Sequence, residues 1–151
     1  MPAESPIADV AHVIQLSVAP VFLLTATGTI LGVLSTRLGR IVDRSRVLKD
    51  RLGGLAPELR APLDQELALL LRRRHLVNMA ITSSTCAALM VAGVIASAFL
   101  GFLLSWKVAG AIAVLFILAM LFLVVALLLF LREVLIAAIA VAPRSAKPDG
   151  S

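Results

Sequence analysis

Three long runs without a single charged residue constrain this chain more than anything else in it. They are Val13–Thr36 ("VIQLSVAPVFLLTATGTILGVLST"), Met79–Leu104 ("MAITSSTCAALMVAGVIASAFLGFLL") and Val108–Leu131 ("VAGAIAVLFILAMLFLVVALLLFL"). Each reaches the ~20 residues that carry a helix across ~30 Å of hydrocarbon. Inside hydrocarbon every backbone N–H and C=O must find a partner within the protein, so runs of this kind are helices. A closed barrel would instead show ~10-residue segments of alternating polarity. The chain is 60% hydrophobic, against the ~45–50% of a soluble domain. The expected fold is therefore an all-α integral membrane protein with three transmembrane helices.

The cations lie at the edges of these runs and predict their orientation. Ten of the fourteen Lys and Arg residues fall in the connection 37–78, from Arg37 to Arg74. Arg132, Arg144 and Lys147 lie in the tail 132–151, and Lys107 stands alone in the short turn 105–107. Lys and Arg accumulate on the cytoplasmic side of a membrane. The connection and the C-terminus are thus expected in the cytoplasm and the short N-terminal stretch 1–12 outside, which three crossings allow. The net charge of +5 could suit nucleic acid, but the cations flank apolar runs and there is no Tyr to stack on bases. Nucleic acid is not an expected partner. "MPAESPIADVAHV" lacks a basic start, so the first run is expected to stay as an uncleaved anchor.

The connection carries a helical pattern of its own. Leu38, Ile41, Leu48 and Leu52 follow heptad-like spacing with Ser45 in the missing place. Leu63, Leu67, Leu70 and Val77 do the same on the return, with Arg74 in the gap. "GGLAPELRAP" breaks the two halves. The first two spans are therefore expected to continue as helices and fold back as a cytoplasmic antiparallel hairpin. The outer turn Ser105–Lys107 makes the second and third spans antiparallel neighbours. Val134–Ala142 is too short to cross again; it either prolongs the third helix or lies along the interface.

Small and polar residues set the first two spans apart from the third, which is nearly all Leu, Val, Phe, Ile and Ala and so is expected to face largely lipid. Gln15, Thr25, Gly28, Thr29 and Gly32 mark the first, with Gly28 and Gly32 forming a GxxxG step; Ser83, Gly93, Ser97 and Gly101 mark the second. Small residues let helix backbones approach closely. The expectation is a protein-facing seam between the first two helices and self-association through the same surfaces. Assembled as a ring, these hydroxyl-rich helices could instead line a homo-oligomeric channel. No acidic or basic residue stands within a span, which argues against proton-coupled transport. Pro20 removes one backbone hydrogen bond and either frames a cavity or bends the helix.

A polar cluster gathers at the inner ends of the spans. Arg37, Arg40, Arg44, Arg72, Arg73 and Arg74 form a candidate contact for an anion or a lipid headgroup, because guanidinium forks match phosphate. Asp43, Arg46, Arg132 and Glu133 are candidates for structural ion pairs, Asp43 being three residues from both Arg40 and Arg46. The plainer account of all these cations is topology and structural pairing. Asp9 and His12 are two potential ligands only, and two do not make a metal site. Lone Cys86 has no charged activator near it in sequence. None of the usual nucleotide, zinc-protease or serine-hydrolase motifs occurs, so no cofactor, metal or enzymatic activity is expected.

"APVFLLTATGTILGVLSTRLGRIVDRSR", "RRRHLVNMAI" and "FLREV" together resemble the bacterial membrane protein family called domain of unknown function 2721. The likeness covers about Val13–Val134, and "RLGRIVDRSR" after the first span is its specific part. The resemblance implies a small three-span inner-membrane protein and carries over no catalytic residues.

Overall fold

The structure, a computed structural model, describes residues 6–54, 60–104 and 108–141. Three helices make it up: α1 Pro6–Gly53, α2 Ala61–Leu104 and α3 Ala109–Val141. Among the described residues there is no strand. Each of the three is long and apolar enough to cross a membrane. The outer turn 105–107 and the tail 142–151 lie outside the described residues.

Local chemistry explains where the helices stop. α1 ends at Gly53 and Gly54, residues that each cost ~1 kcal/mol in a helix relative to Ala, and the Gly54 N–H closes on the Arg51 carbonyl at 3.2 Å. α2 begins with Pro62 in its first turn, where a missing N–H costs little, and with Asp64 facing the positive end of the helix dipole. α3 runs on without a break through Val134–Val141, so the apolar segment after Arg132 prolongs the helix as far as it is described.

Length sets what these helices can do. α1 has 48 residues and α2 has 44; at ~1.5 Å per residue they are rods of about 70 Å and 65 Å. Both exceed ~30 Å of hydrocarbon twofold. The two stay packed beyond the uncharged run that ends at Thr36. Leu34, Ile41 and Leu48 of α1 form one buried cluster with Leu70, Val77 and Ala80 of α2.

A seven-residue period runs through all three helices. On α1 the buried series is Pro20, Thr27, Leu34, Ile41 and Leu48, with Ser45 buried beside it. On α2 two such series are buried: Leu70, Val77, Ser84 and Val91, and Ala80, Ala87, Val94 and Gly101. On α3 it is Ala119, Ala126 and Glu133. A period of 3.5 keeps one stripe facing its neighbour along the whole length of a gently supercoiled pair. With two stripes, α2 packs along both α1 and α3.

The packing differs in two respects from the expected seam between the first two helices. Within the chain α1 meets α2 through Leu34, Ile41 and Leu48, whereas Gly28 and Gly32 are exposed and a methyl built on either would meet nothing within 4 Å beyond the adjoining turns of α1. The small residues of α2 in turn receive α3. A methyl on Gly93 would lie 4.0 Å from Leu115 Cδ1, and one on Gly101 would run into the Val108 side chain, whose Cβ would be 3.3 Å away. Leu115 of α3 and Val108 just before it thus lie over glycines of α2, where the missing side chain leaves them room. α3 is thus half a packing helix: Ala119, Leu123 and Ala126 are buried while Ile117, Leu121 and Leu128 are exposed.

The gaps in the expected heptads also resolve. Ser45 is buried in place, its hydroxyl donating to the Val42 carbonyl at 2.7 Å. On α2 Arg74 is exposed, and Arg73 turns inward instead.

Candidate functional site

The polar centre of the molecule is built on Glu133, which takes the next place after Ala119 and Ala126 in the α3 series. Its side chain is 0% exposed. A carboxylate so placed must be paired, since burying a lone charge costs several kcal/mol. Two arginines supply the pairing, one from each of the other helices. Arg37 Nη1 of α1 donates to Oε2 at 2.6 Å. Arg73 of α2 donates twice to Oε1, from Nε at 3.1 Å and from Nη2 at 2.8 Å. Charge-assisted bonds of this kind are roughly twice as strong as neutral ones.

Packing holds the arginines for the task. The Arg37 guanidinium lies over the Phe130 ring, 5.1 Å from its centre, where the negative face of the ring attracts a cation. Phe130 is one turn before Glu133 on α3, so a single helix presents both the anion and the aromatic face. Arg37 and Arg73 keep 37% and 24% of their side chains exposed. Their stems cross apolar surface and their heads reach the polar edge. One carboxylate and two guanidiniums leave the triad with a net charge of +1.

Further along the same two helices, Arg44 Nε and Nη2 donate to Glu66 Oε1 at 2.9 and 2.8 Å. Both partners are about half exposed, so the pair contributes ~1 kcal/mol or less. It records direction, however. From 37 to 44 along α1 the partners on α2 fall from the Arg73 level to Glu66, so the helices are antiparallel here.

An open groove of about 330 Å³ lies beside the triad and is lined by Arg37, Arg40, Arg44 and Arg73. Of the six arginines expected to contact an anion, these four come together. Arg72 and Arg74 are exposed on other faces of α2 and do not line it. Asp43 and Arg46 are exposed and make no ion pair within 4 Å among the described residues; the same holds for Arg132. Of the four residues expected in structural pairs, Glu133 alone has such a pair among the described residues. Glu66 and Phe130 were not singled out in the sequence. Glu66 could have been found by pairing the connection in register, but that needs the geometry of the turn between α1 and α2. The spacing of Phe130 before Glu133 was the available signal for the ring.

The hydroxyls of the spans mostly serve their own helices. Thr25, Thr29 and Thr36 are exposed and donate to the carbonyls four residues back at 3.2, 3.2 and 3.0 Å. Buried Thr27 does the same to Leu23 at 2.8 Å. Ser97 donates to Val94 at 3.0 Å, and Ser83 is buried on α2. Gln15 is exposed at the start of α1. Ser84 Oγ is buried with no hydrogen-bond partner among the described residues. Pro20 lines an open, mostly apolar groove of about 300 Å³ with Ala98, Ile112 and Phe116. The side chains of Asp9 and His12 lie outside the described residues, and among those described no three His, Cys, Asp or Glu side chains group together.

No match is found among curated proteins or among solved structures. Residues 17–142 match the family described as "Protein of unknown function (DUF2721)", a span that takes in all three apolar helices and the Arg37–Arg73–Glu133 triad. This three-helix membrane protein therefore belongs to that family.

Proposed function

We propose that the chain is a self-associating structural or interaction protein of the bacterial inner membrane, with its N-terminus outside and its C-terminus in the cytoplasm. On this reading the parts of α1 and α2 beyond the bilayer form a cytoplasmic helical hairpin with a basic face. The partners are copies of the same chain and membrane lipid, and the protein is not an enzyme and carries no cofactor. The asymmetry of Lys and Arg supports the orientation.

One observation carries the self-association. Thr25, Gly28, Thr29 and Gly32 form a face of α1 that nothing else among the described residues covers. In lipid such a face gains by meeting another helix, because small residues allow close backbone approach and good van der Waals packing. The threonine hydroxyls are already satisfied by their own backbone, so nothing polar has to be undone. The test is the mass of the purified protein in detergent, corrected for bound detergent. An assembly of two or more chains agrees with the reading; a strict monomer at all concentrations refutes it. The channel reading keeps one supporting observation, the exposure of Thr25, Thr29 and Thr36. It predicts ion flux in liposomes that the structural reading does not.

A further inference from the structure

We infer that the groove between Arg37, Arg40, Arg44 and Arg73 binds the phosphate of an anionic phospholipid headgroup. The inference rests on the proposed membrane placement of this end of the bundle and adds a ligand to it. Three observations carry it.

The first is the supply of donors. A guanidinium has five N–H donors. Arg37 spends one on Glu133, while Arg73 and Arg44 each spend the Nε and one Nη2 donor on a carboxylate. Arg40 has no acidic partner within 4 Å among the described residues. Donors therefore remain on all four arginines at one groove, and two of the four are already held in place by a buried carboxylate. Preorganised forks lose less freedom when they take up a phosphate.

The second is the charge balance. Four guanidiniums and the two carboxylates that pair with them leave a net +2 around the groove. A phosphodiester anion neutralises part of that excess, whereas a zwitterionic headgroup brings its own cation with it.

The third is depth. Arg37 follows directly on the uncharged run that ends at Thr36, and Arg44 stands two turns further, ~10 Å along the helix. The headgroup layer is about 5–7 Å thick on each side of the hydrocarbon. The groove spans that layer. Ile41, Leu70 and Ala137 complete its lining and offer apolar surface to the glycerol and upper acyl carbons, which a free phosphate does not use.

Native mass spectrometry of the full chain, released from detergent with added lipid, tests this. The probes are phosphatidylglycerol, phosphatidylcholine and inorganic phosphate. Phosphatidylglycerol should be retained roughly tenfold or more better than phosphatidylcholine, and Arg40→Ala should remove most of that preference. Arg40 is exposed and pairs with no carboxylate among the described residues, so its loss should leave the triad and the fold intact. Arg46→Ala removes the same charge from the same helix outside the groove and should leave the preference unchanged. Equal retention of the two lipids overturns the inference, as does an equal loss of preference in the Arg46 variant. Inorganic phosphate displacing phosphatidylglycerol at matched concentration would make this a site for a soluble anion and overturn the lipid assignment. Lipid is counted per chain, so a monomer retaining phosphatidylglycerol sinks self-association while keeping the site, and an assembly with no lipid preference does the reverse.

Discussion

Arg37 and Glu133 are 96 residues apart in the chain and meet at 2.6 Å, with the carboxylate wholly buried. Arg73 closes on the other oxygen of the same carboxylate. One side chain thereby ties α3 to both other helices at the arginine-bearing ends of the spans. Breaking a buried pair by removing one partner typically costs ~3–5 kcal/mol, because the remaining charges are stranded. Glu133→Gln should therefore lower the unfolding temperature in detergent markedly, while Arg132→Gln, one residue away and exposed, should change stability by less than ~0.5 kcal/mol. Equal effects of the two variants would contradict the assigned role of Glu133.

Replacing the whole triad should behave differently. Arg37→Met, Arg73→Met and Glu133→Leu together remove all three charges and keep the volume, and such exchanges are often neutral or stabilising. The combined variant is expected to be more stable than Glu133→Gln alone. A triple variant that unfolds more readily than the single one would show that the three groups are not one unit.

Gly101 and Val108 test the turn between α2 and α3. A methyl at Gly101 collides with the Val108 side chain, and overpacking of this kind costs ~1–3 kcal/mol. Gly101→Ala should destabilise, Val108→Ala added to it should restore most of the loss, and Gly93→Ala should be mild because Leu115 lies at ordinary contact distance. Thermal melts of the three variants decide it; a silent Gly101→Ala would mean the helix ends are further apart.

Gly28→Leu separates packing within the chain from packing between chains. A methyl at this position meets nothing within 4 Å beyond the adjoining turns of α1 among the described residues, so the monomer has room for a larger side chain. Helix content should be unchanged while the assembly shrinks. A variant that keeps the mass of the wild-type assembly places the contact between chains elsewhere.

Ser84→Ala removes a buried hydroxyl that has no partner among the described residues. Deleting an unsatisfied group at nearly constant volume is neutral or stabilising. A loss above ~1 kcal/mol in denaturation would reveal a hydrogen bond to Ser84.

The three spans were legible because hydrocarbon demands a length and a composition that few other environments do. The continuation of α1 beyond Thr36 was legible for a related reason, the apolar spacing of Leu38, Ile41 and Leu48. The carboxylate partners were not. Glu133 follows Arg132 in sequence like any flanking charge, and which arginines it meets depends on the relative register of three helices, a long-range property. The small residues were noticed but their partners were not. Gly93 lies under Leu115 of α3 and Gly101 under Val108 just before it, although the hydrophobicity of α3 had suggested a helix largely facing lipid. Ala119 and Ala126, seven apart among large residues, were the local sign of its packing face. Arg73 and Arg74 differ by one position, and only the Glu133 carboxylate of α3 decides which of them turns inward.

Labelling of a single engineered cysteine probes the membrane account most directly. With Cys86→Ala as background, Asp50→Cys places a thiol at an exposed position near the end of α1. A membrane-impermeant maleimide should leave this thiol unmodified in intact cells and react fully once the membrane is opened, with all of the protein sedimenting with membranes. Reaction in intact cells, or protein recovered in the soluble fraction, would contradict the placement from which the orientation, the assembly and the lipid site all follow.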